Sequence, residues 1–355
     1  MMSIVMRVGV CLAAAGLIAA LPAADQQKST TPTKTKNGKS TAPPAPVPPS
    51  TGIKTPGIQI PAASLKSEAE IPVEGPAWMS ITNDVMIERK SKDGLLRIDT
   101  KTNKPLDPVA ADVKKPCSGA ITAFASLWVP DCEAHTVTRM DPRTFKVSAT
   151  LQIGAGDVTM GLAATADSVW MMTDNLITLS RIDPIQNQVV AEIRLPVGCN
   201  DMGFNSGALW VTCTPQNKLY RINPETNLVE KRIDVSEGPR AFAFGLNSIW
   251  VLCGKEGKID RIDPATNKVT KTIELKVPNA GGSIAFGEGW LWVTQVGFPI
   301  TRIDPEGEKV VQQFWGDGPG GGLIAAGGGG VWLSDAAGTK LIRFDPKRII
   351  ATLAE

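Results

Sequence analysis

The chain holds one histidine, His135, and six cysteines, at positions 11, 117, 132, 199, 213 and 253. An imidazole near its neutral pKa can act as general acid or base. No CxxC pair and no histidine cluster is present, so the ligand spacing of a zinc site is missing. The remaining candidates are carboxylates and amides that lie between hydrophobic runs, among them Asp131, Asp157, Asn200, Asp201, Glu237, Asn279 and Asp317, with the cation Arg240. Oxygen donors of this kind suit Ca²⁺ or Mg²⁺, and a desolvated carboxyl can move a proton near neutral pH. Whether any of them can work together depends on the elements that carry them.

Those elements repeat. The stretch SIWVLCGKEGKIDRIDPATNKVTKTIEL at Ser248 has counterparts starting at Ser126, Ser168, Ala208, Trp290 and Val331. The repeated Trp falls at 128, 170, 210, 250, 292 and 332, in steps of 42, 40, 40, 42 and 40. The matching arginines are 97, 139, 181, 221, 261, 302 and 343, which makes seven units of about 41 residues. Counting back from Arg97 puts Met86 at the Trp position of the first unit and leaves Trp78 one strand earlier. Within a unit, SIWVL is a short apolar run, while KIDRID and KVTKTIEL alternate polar and apolar residues with period two. Asp-Pro-Ala-Thr-Asn between them is a turn: Asp opens it, Pro sets φ, and Asn tolerates the left-handed conformation. A fourth strand such as RAFAFG precedes the Trp, with Ala and Gly suited to a crowded axis. Four strands in each of seven units with no helical period predict an all-β, seven-bladed β-propeller over residues 69–355.

A residue repeated in every blade serves architecture: Trp fills the space between sheets, and Arg pairs or caps near the Asp-Pro turn. The C-terminal RIIATLAE predicts an outer strand for blade seven. AEIPVEGP at Ala69 also resembles the end of an outer strand, so the N-terminal segment either adds to blade seven or leads into blade one.

This topology sorts the candidates. Loops leading into inner strands and loops after second strands share one face, and there the blades differ. The binding candidates on it are Asp157, Asn200, Asp201, Arg240, Asn279 and Asp317, and the acid or base candidates are His135, Asp201 and Glu237. Cys117 and Cys132 flank one such pair of loops and Cys199 and Cys213 another, so disulfides 117–132 and 199–213 are expected and Cys253 is left over. Disulfides require an oxidising compartment. MMSIVMR followed by an uncharged run from Val8 to Ala24 fits a secretory signal over residues 1–24, with an uncleaved anchor as the alternative. Residues 25–68, rich in Pro, Thr and Lys, are expected to be a disordered linker. The protein is therefore expected in the periplasm or outside the cell.

Formal net charge is +2, of which residues 1–70 carry +4, leaving the propeller slightly acidic. No basic face is available for phosphates, which argues against nucleic acid as a partner. The units, with W-V followed by R-I-D-P-x-T-N-K-V, resemble the bacterial YVTN/NHL-type propeller superfamily, and in particular the streptogramin (virginiamycin B) lyase group. That resemblance implies a seven-bladed fold and, for the lyases, histidine chemistry with a divalent metal on one face. Here the Trp is followed by Val, Met or Leu, and His135 is the sole histidine, so the catalytic pair has no counterpart. Two functions remain from the sequence. One is a monomeric module binding an envelope protein, peptide or polymer on its loop face. The other is a metal-assisted lyase or lactone hydrolase acting on a small molecule at the channel mouth.

Overall fold

The computed structural model describes residues 49–355, apart from 82–83, 90–93, 111, 157–160, 175–176, 318–320, 336 and 354–355. These residues form seven sheets, each built on antiparallel neighbours in chain order. Inner strands run Pro76–Ile81, Ile121–Ala123, Leu162–Ala164, Cys199–Asn205, Pro239–Gly245, Ser283–Gly287 and Ile324–Gly327. The second strand carries the repeated Trp and pairs it with the repeated Arg of the third: Trp128 with Arg139, Trp210 with Arg221, Trp250 with Arg261. Met86 stands opposite Arg97 in blade one, and Trp78 lies on the inner strand, as the spacing predicts.

Seven apolar clusters hold the ring, one between each pair of neighbouring blades, including seven and one. Each repeated Trp is fully buried and packs against the blade that follows it. Between blades one and two the filler is Trp78, an indole supplied from the inner strand instead of the second. In Trp128, Trp210, Trp250 and Trp292 the indole N–H donates to the carbonyl five residues back, as in Trp210 to Asn205 (2.9 Å) and Trp250 to Gly245 (3.1 Å), while Trp170 donates to the Thr165 hydroxyl. Three of the arginines join blades. Their guanidinium meets the left-handed residue in the next blade's Asp-Pro or Asn-Pro turn: Arg139 with Asn187, Arg181 with Asn227 and Arg261 with Glu308, whereas Arg221 pairs with Glu230 of its own blade.

Two expectations are corrected. RIIATLAE is not a strand: Pro346–Ala351 is a helix capped by the Asp345 side chain, which accepts from the Lys347 N–H at 2.8 Å. The other turns place Asn103, Asn187, Asn227, Asn267 or another residue in the left-handed region four positions after the turn-opening Asp or Asn. Here that position is Ile349, whose branched Cβ disfavours the left-handed region, so the chain coils on and buries Ile349. The outer strand of blade seven is instead Ala69–Pro72, antiparallel to Lys340–Phe344. Residues 49–68, assigned to the linker by composition, also fold against the ring. Gln59–Pro61 adds to blade six as a fifth strand, parallel to Lys309–Trp315, and drives Ile60 into the cluster between blades six and seven. The alternation Ile58-Gln-Ile60 carries that strand despite its Pro-rich surroundings. Residues 1–48, with the signal and the first part of the linker, lie outside the described residues.

Candidate functional site

Two disulfides, Cys117–Cys132 and Cys199–Cys213, pin inner-strand approaches to second-strand ends in blades two and four, as expected. Cys253 is a buried free thiol. It sits opposite Pro239 in the register that Cys213 shares with Cys199, which is why it has no partner. Burial in the company of Asp260 pushes its thiol well above the ordinary range, leaving it protonated.

Inside the ring lies a cavity of about 580 Å³, walled by inner strands of all seven blades. Its wall is mostly apolar. Phe204, Phe242, Phe244 and Phe286 line one side, with Phe242 and Phe244 edge to face at 5.1 Å. Gly203 and Gly245 make room for these rings: a Cβ on Gly245 would stand 2.3 Å from Phe286, and one on Gly203 2.8 Å from Phe244. Sequence reasoning took the inner strands as small and missed this aromatic wall. The signal was the alternation in RAFAFG and SIAFG, which sends every second residue the same way.

Among the cavity-lining residues Asp201 is the one ionisable side chain. It is 6 % exposed, and its carboxylate accepts from the Phe242 N–H of the next blade at 3.1 Å. Burial raises its pKa to about 7, against the N–H groups of Phe242 and Met202 and the charge of Arg240. The equivalent place in blade five is Ala241, so the carboxyl belongs to blade four alone of this pair. Beside it, Asn200 accepts from Thr212 Oγ1 at 2.8 Å. Arg240 occupies the bulge that opens the inner strand of blade five, and its guanidinium lies against Gly281, two residues before Ser283 of the cavity wall. The side chain is exposed, yet partial desolvation by its surroundings lowers its pKa, while Asp201 acts the other way.

The other candidates do not join this group. His135 is exposed in the loop after the second strand of blade two, held in the left-handed region, and does not line the cavity. Glu237 forms an ion pair with Lys255 at 2.5 Å. Asn279 is exposed, and its N–H donates to the Lys255 carbonyl at 3.0 Å. Asp317 lines a different cavity, of about 360 Å³, between blades six and seven. Asp131 is buried, and although burial opposes it, the N–H groups of Ala134, Lys114 and Glu133 hold its carboxyl below the usual range, as a loop anchor. Asp157 lies outside the described residues. Among the described residues no group of three or more His, Cys, Asp or Glu converges as metal ligands would.

Solved structures share this architecture. Virginiamycin B lyase from Staphylococcus aureus matches with a TM-score of 0.63 at 19% identity, over 78% of this chain and 98% of that one. A streptogramin B lyase matches at 0.59 and 17%, over 77% and 94%. The chain has the streptogramin lyase-like propeller fold. The fold also occurs in hydrazine synthase of Kuenenia stuttgartiensis, with a TM-score of 0.53 at 17% identity over 64% of this chain and 75% of that one. No family model matches the sequence, and no curated protein does. At these identities the likeness concerns fold, and activity has to be argued from the side chains.

Proposed function

We propose that the chain is an exported propeller that binds a protein, peptide or envelope polymer on its loop face and does not transform it. One observation carries this reading. Of the groups that could do chemistry, His135, Asp201 and Glu237, only Asp201 lines the cavity beneath the face, whose side chains are mostly apolar with four Phe among them. An aromatic recess with one or two polar groups at its rim is what recognition needs. Disulfides brace that face in blades two and four, which suits a rigid platform in an oxidising compartment. A photo-crosslinking residue at Asn279, on the loop face, should capture an envelope component that the same probe at Asn247, on the opposite face, does not. Equal capture from both faces would overturn the reading.

A second reading, a metal-assisted lyase or lactone hydrolase, is favoured by Asp201 alone. A carboxyl with a pKa of about 7 beside a cavity could act as general acid or base. It would need a metal held by further oxygen donors. Measuring Ca²⁺ and Mg²⁺ on the purified chain, with melting curves with and without chelator, decides it. A stoichiometric ion whose removal lowers the melting temperature would favour the enzyme.

A further inference from the structure

The inner strand of every blade ends its sheet, so one edge of its backbone is unpaired and faces the axis. Those backbone edges and the Phe side chains of blades four to six share one cavity, a lining that suits an amphipathic guest. Arg240, an exposed side chain next to the cavity-lining Asp201, carries no hydrogen bond or ion pair among the described residues. A planar guanidinium with unused donors, next to the one carboxyl of a cavity walled by Phe rings, matches a carboxylate on an apolar body.

We propose that the channel takes an apolar or aromatic group ending in a carboxylate, with its body among Phe242, Phe244 and Phe286 and its carboxylate on Arg240. This rests on the binding reading above, because a ligand so held is bound and not transformed. Two sources share this chemistry: the C-terminus of a peptide with an apolar last residue, and a free aliphatic or aromatic acid. Asp201 is the charged neighbour that acts on Arg240, and Arg240 the one that acts on Asp201. With its pKa near 7, Asp201 is neutral in mildly acidic solution and can donate to the guest carboxylate. Above that pH it ionises and repels it. Affinity therefore falls as pH rises through neutrality.

The test is calorimetric titration of the purified full chain at pH 6 and pH 8. The probes are a tetrapeptide ending in Phe with a free carboxylate, the same peptide amidated, decanoate and decylamine. Binding of the free-acid peptide, at least tenfold tighter than its amide and tighter at pH 6, supports the proposal with a peptide end as the source. Binding of decanoate without the peptide supports it with a small acid as the source. Arg240→Leu should weaken either ligand at least tenfold, and Asp201→Asn should flatten the pH dependence while keeping binding. Phe242→Ala, which removes part of the recess wall without touching a charge, should weaken binding at least tenfold in a chain whose melting curve shows it folded. Decylamine binding in preference to decanoate, an amide as tight as the acid, or an unchanged Arg240→Leu would overturn the proposal. So would no binding by any probe. If the Asn279 crosslink persisted in that case, the loop-face reading would stand without the channel ligand.

Discussion

In blade five the outer strand Lys268–Glu274 leaves Lys268, Lys271 and Glu274 in solvent, whereas in blade six the strand Lys309–Trp315 buries Gln312 and Gln313. The two strands have the same register against their third strands, so the difference lies in what covers them. Gln313 accepts from the Ile53 N–H at 2.8 Å and donates to the Leu275 carbonyl at 3.1 Å, tying the N-terminal segment to the ring. Gln312 accepts from Arg302 Nε at 2.8 Å and donates to the carbonyls of Ile349 and Thr352, tying down the C-terminal helix. Blade six thus holds the C-terminal helix and a strand of the N-terminal segment, whereas blade five meets only the latter, through the Gly52 N–H on the Lys276 carbonyl and Ile53 and Ile58 on the cluster it shares with blade six. The arginines show the same divide. Arg261 stacks on its own repeated Trp250 and reaches the next turn. Arg302 has no such turn ahead, because a helix stands there. It stacks on Trp290 at 3.9 Å and turns to Gln312. The repeat specifies a blade, and departures from the repeat specify where the ring is closed.

The comparison can be broken most sharply by removing the closing strand. Truncation through Pro72 strips blade seven of its outer strand and blade six of its fifth. It should cost more stability than any single substitution, read as a large drop in melting temperature. A truncated chain that melts like the parent would show that the ends merely decorate the ring. Next in size, Trp250→Ala should cost about 3–5 kcal/mol, because the indole fills the space between blades five and six. Urea unfolding gives the value, and a cost below about 1 kcal/mol would deny the Trp its filling role.

Asp201→Asn compares blade four with blade five, where Ala241 takes the place of the carboxyl. The folded carboxyl, raised to about 7, binds its proton more tightly than the unfolded one at 3.8. Stability should therefore rise as pH falls through this window and fall as pH rises through it. Asn has no such charge to bury, so the variant should gain over the parent at pH 8 by up to roughly 4 kcal/mol, and little at pH 4. Equal pH profiles would show Asp201 to be solvated. Smallest, Gln312→Leu leaves the Ile349 and Thr352 carbonyls and Arg302 short of partners and should cost about 1–3 kcal/mol. Lys271→Leu, at the equivalent place in blade five, should stay within about 0.5 kcal/mol.

Much of this was legible in the residues. The register of Trp on Arg, the place of Met86 and Trp78, the fold class and both disulfides follow from spacing, because a repeat at fixed period samples the same geometry again and again. The site was less legible. Asn200, Asp201 and Arg240 lie close together and were named, but Asn279, Asp317, Glu237 and His135 share only a face with them, since position in a blade does not say how far a side chain reaches. The Phe wall was written in the alternation of RAFAFG and overlooked behind its alanines.

By itself, then, the sequence determined the blade: period-two strands, an Asp-Pro turn with a left-handed exit, and one large filler per interface. These are local rules, and each unit satisfies them alone. Only the tertiary structure decided how the ring closes, that Ile349 turns a strand into a helix, and that a Pro-rich approach contains a strand for blade six. It also decided that Asp201 loses water while Glu237 keeps its lysine. Those outcomes depend on which segments, far apart in the chain, come to lie side by side, and burial and pairing are set only there.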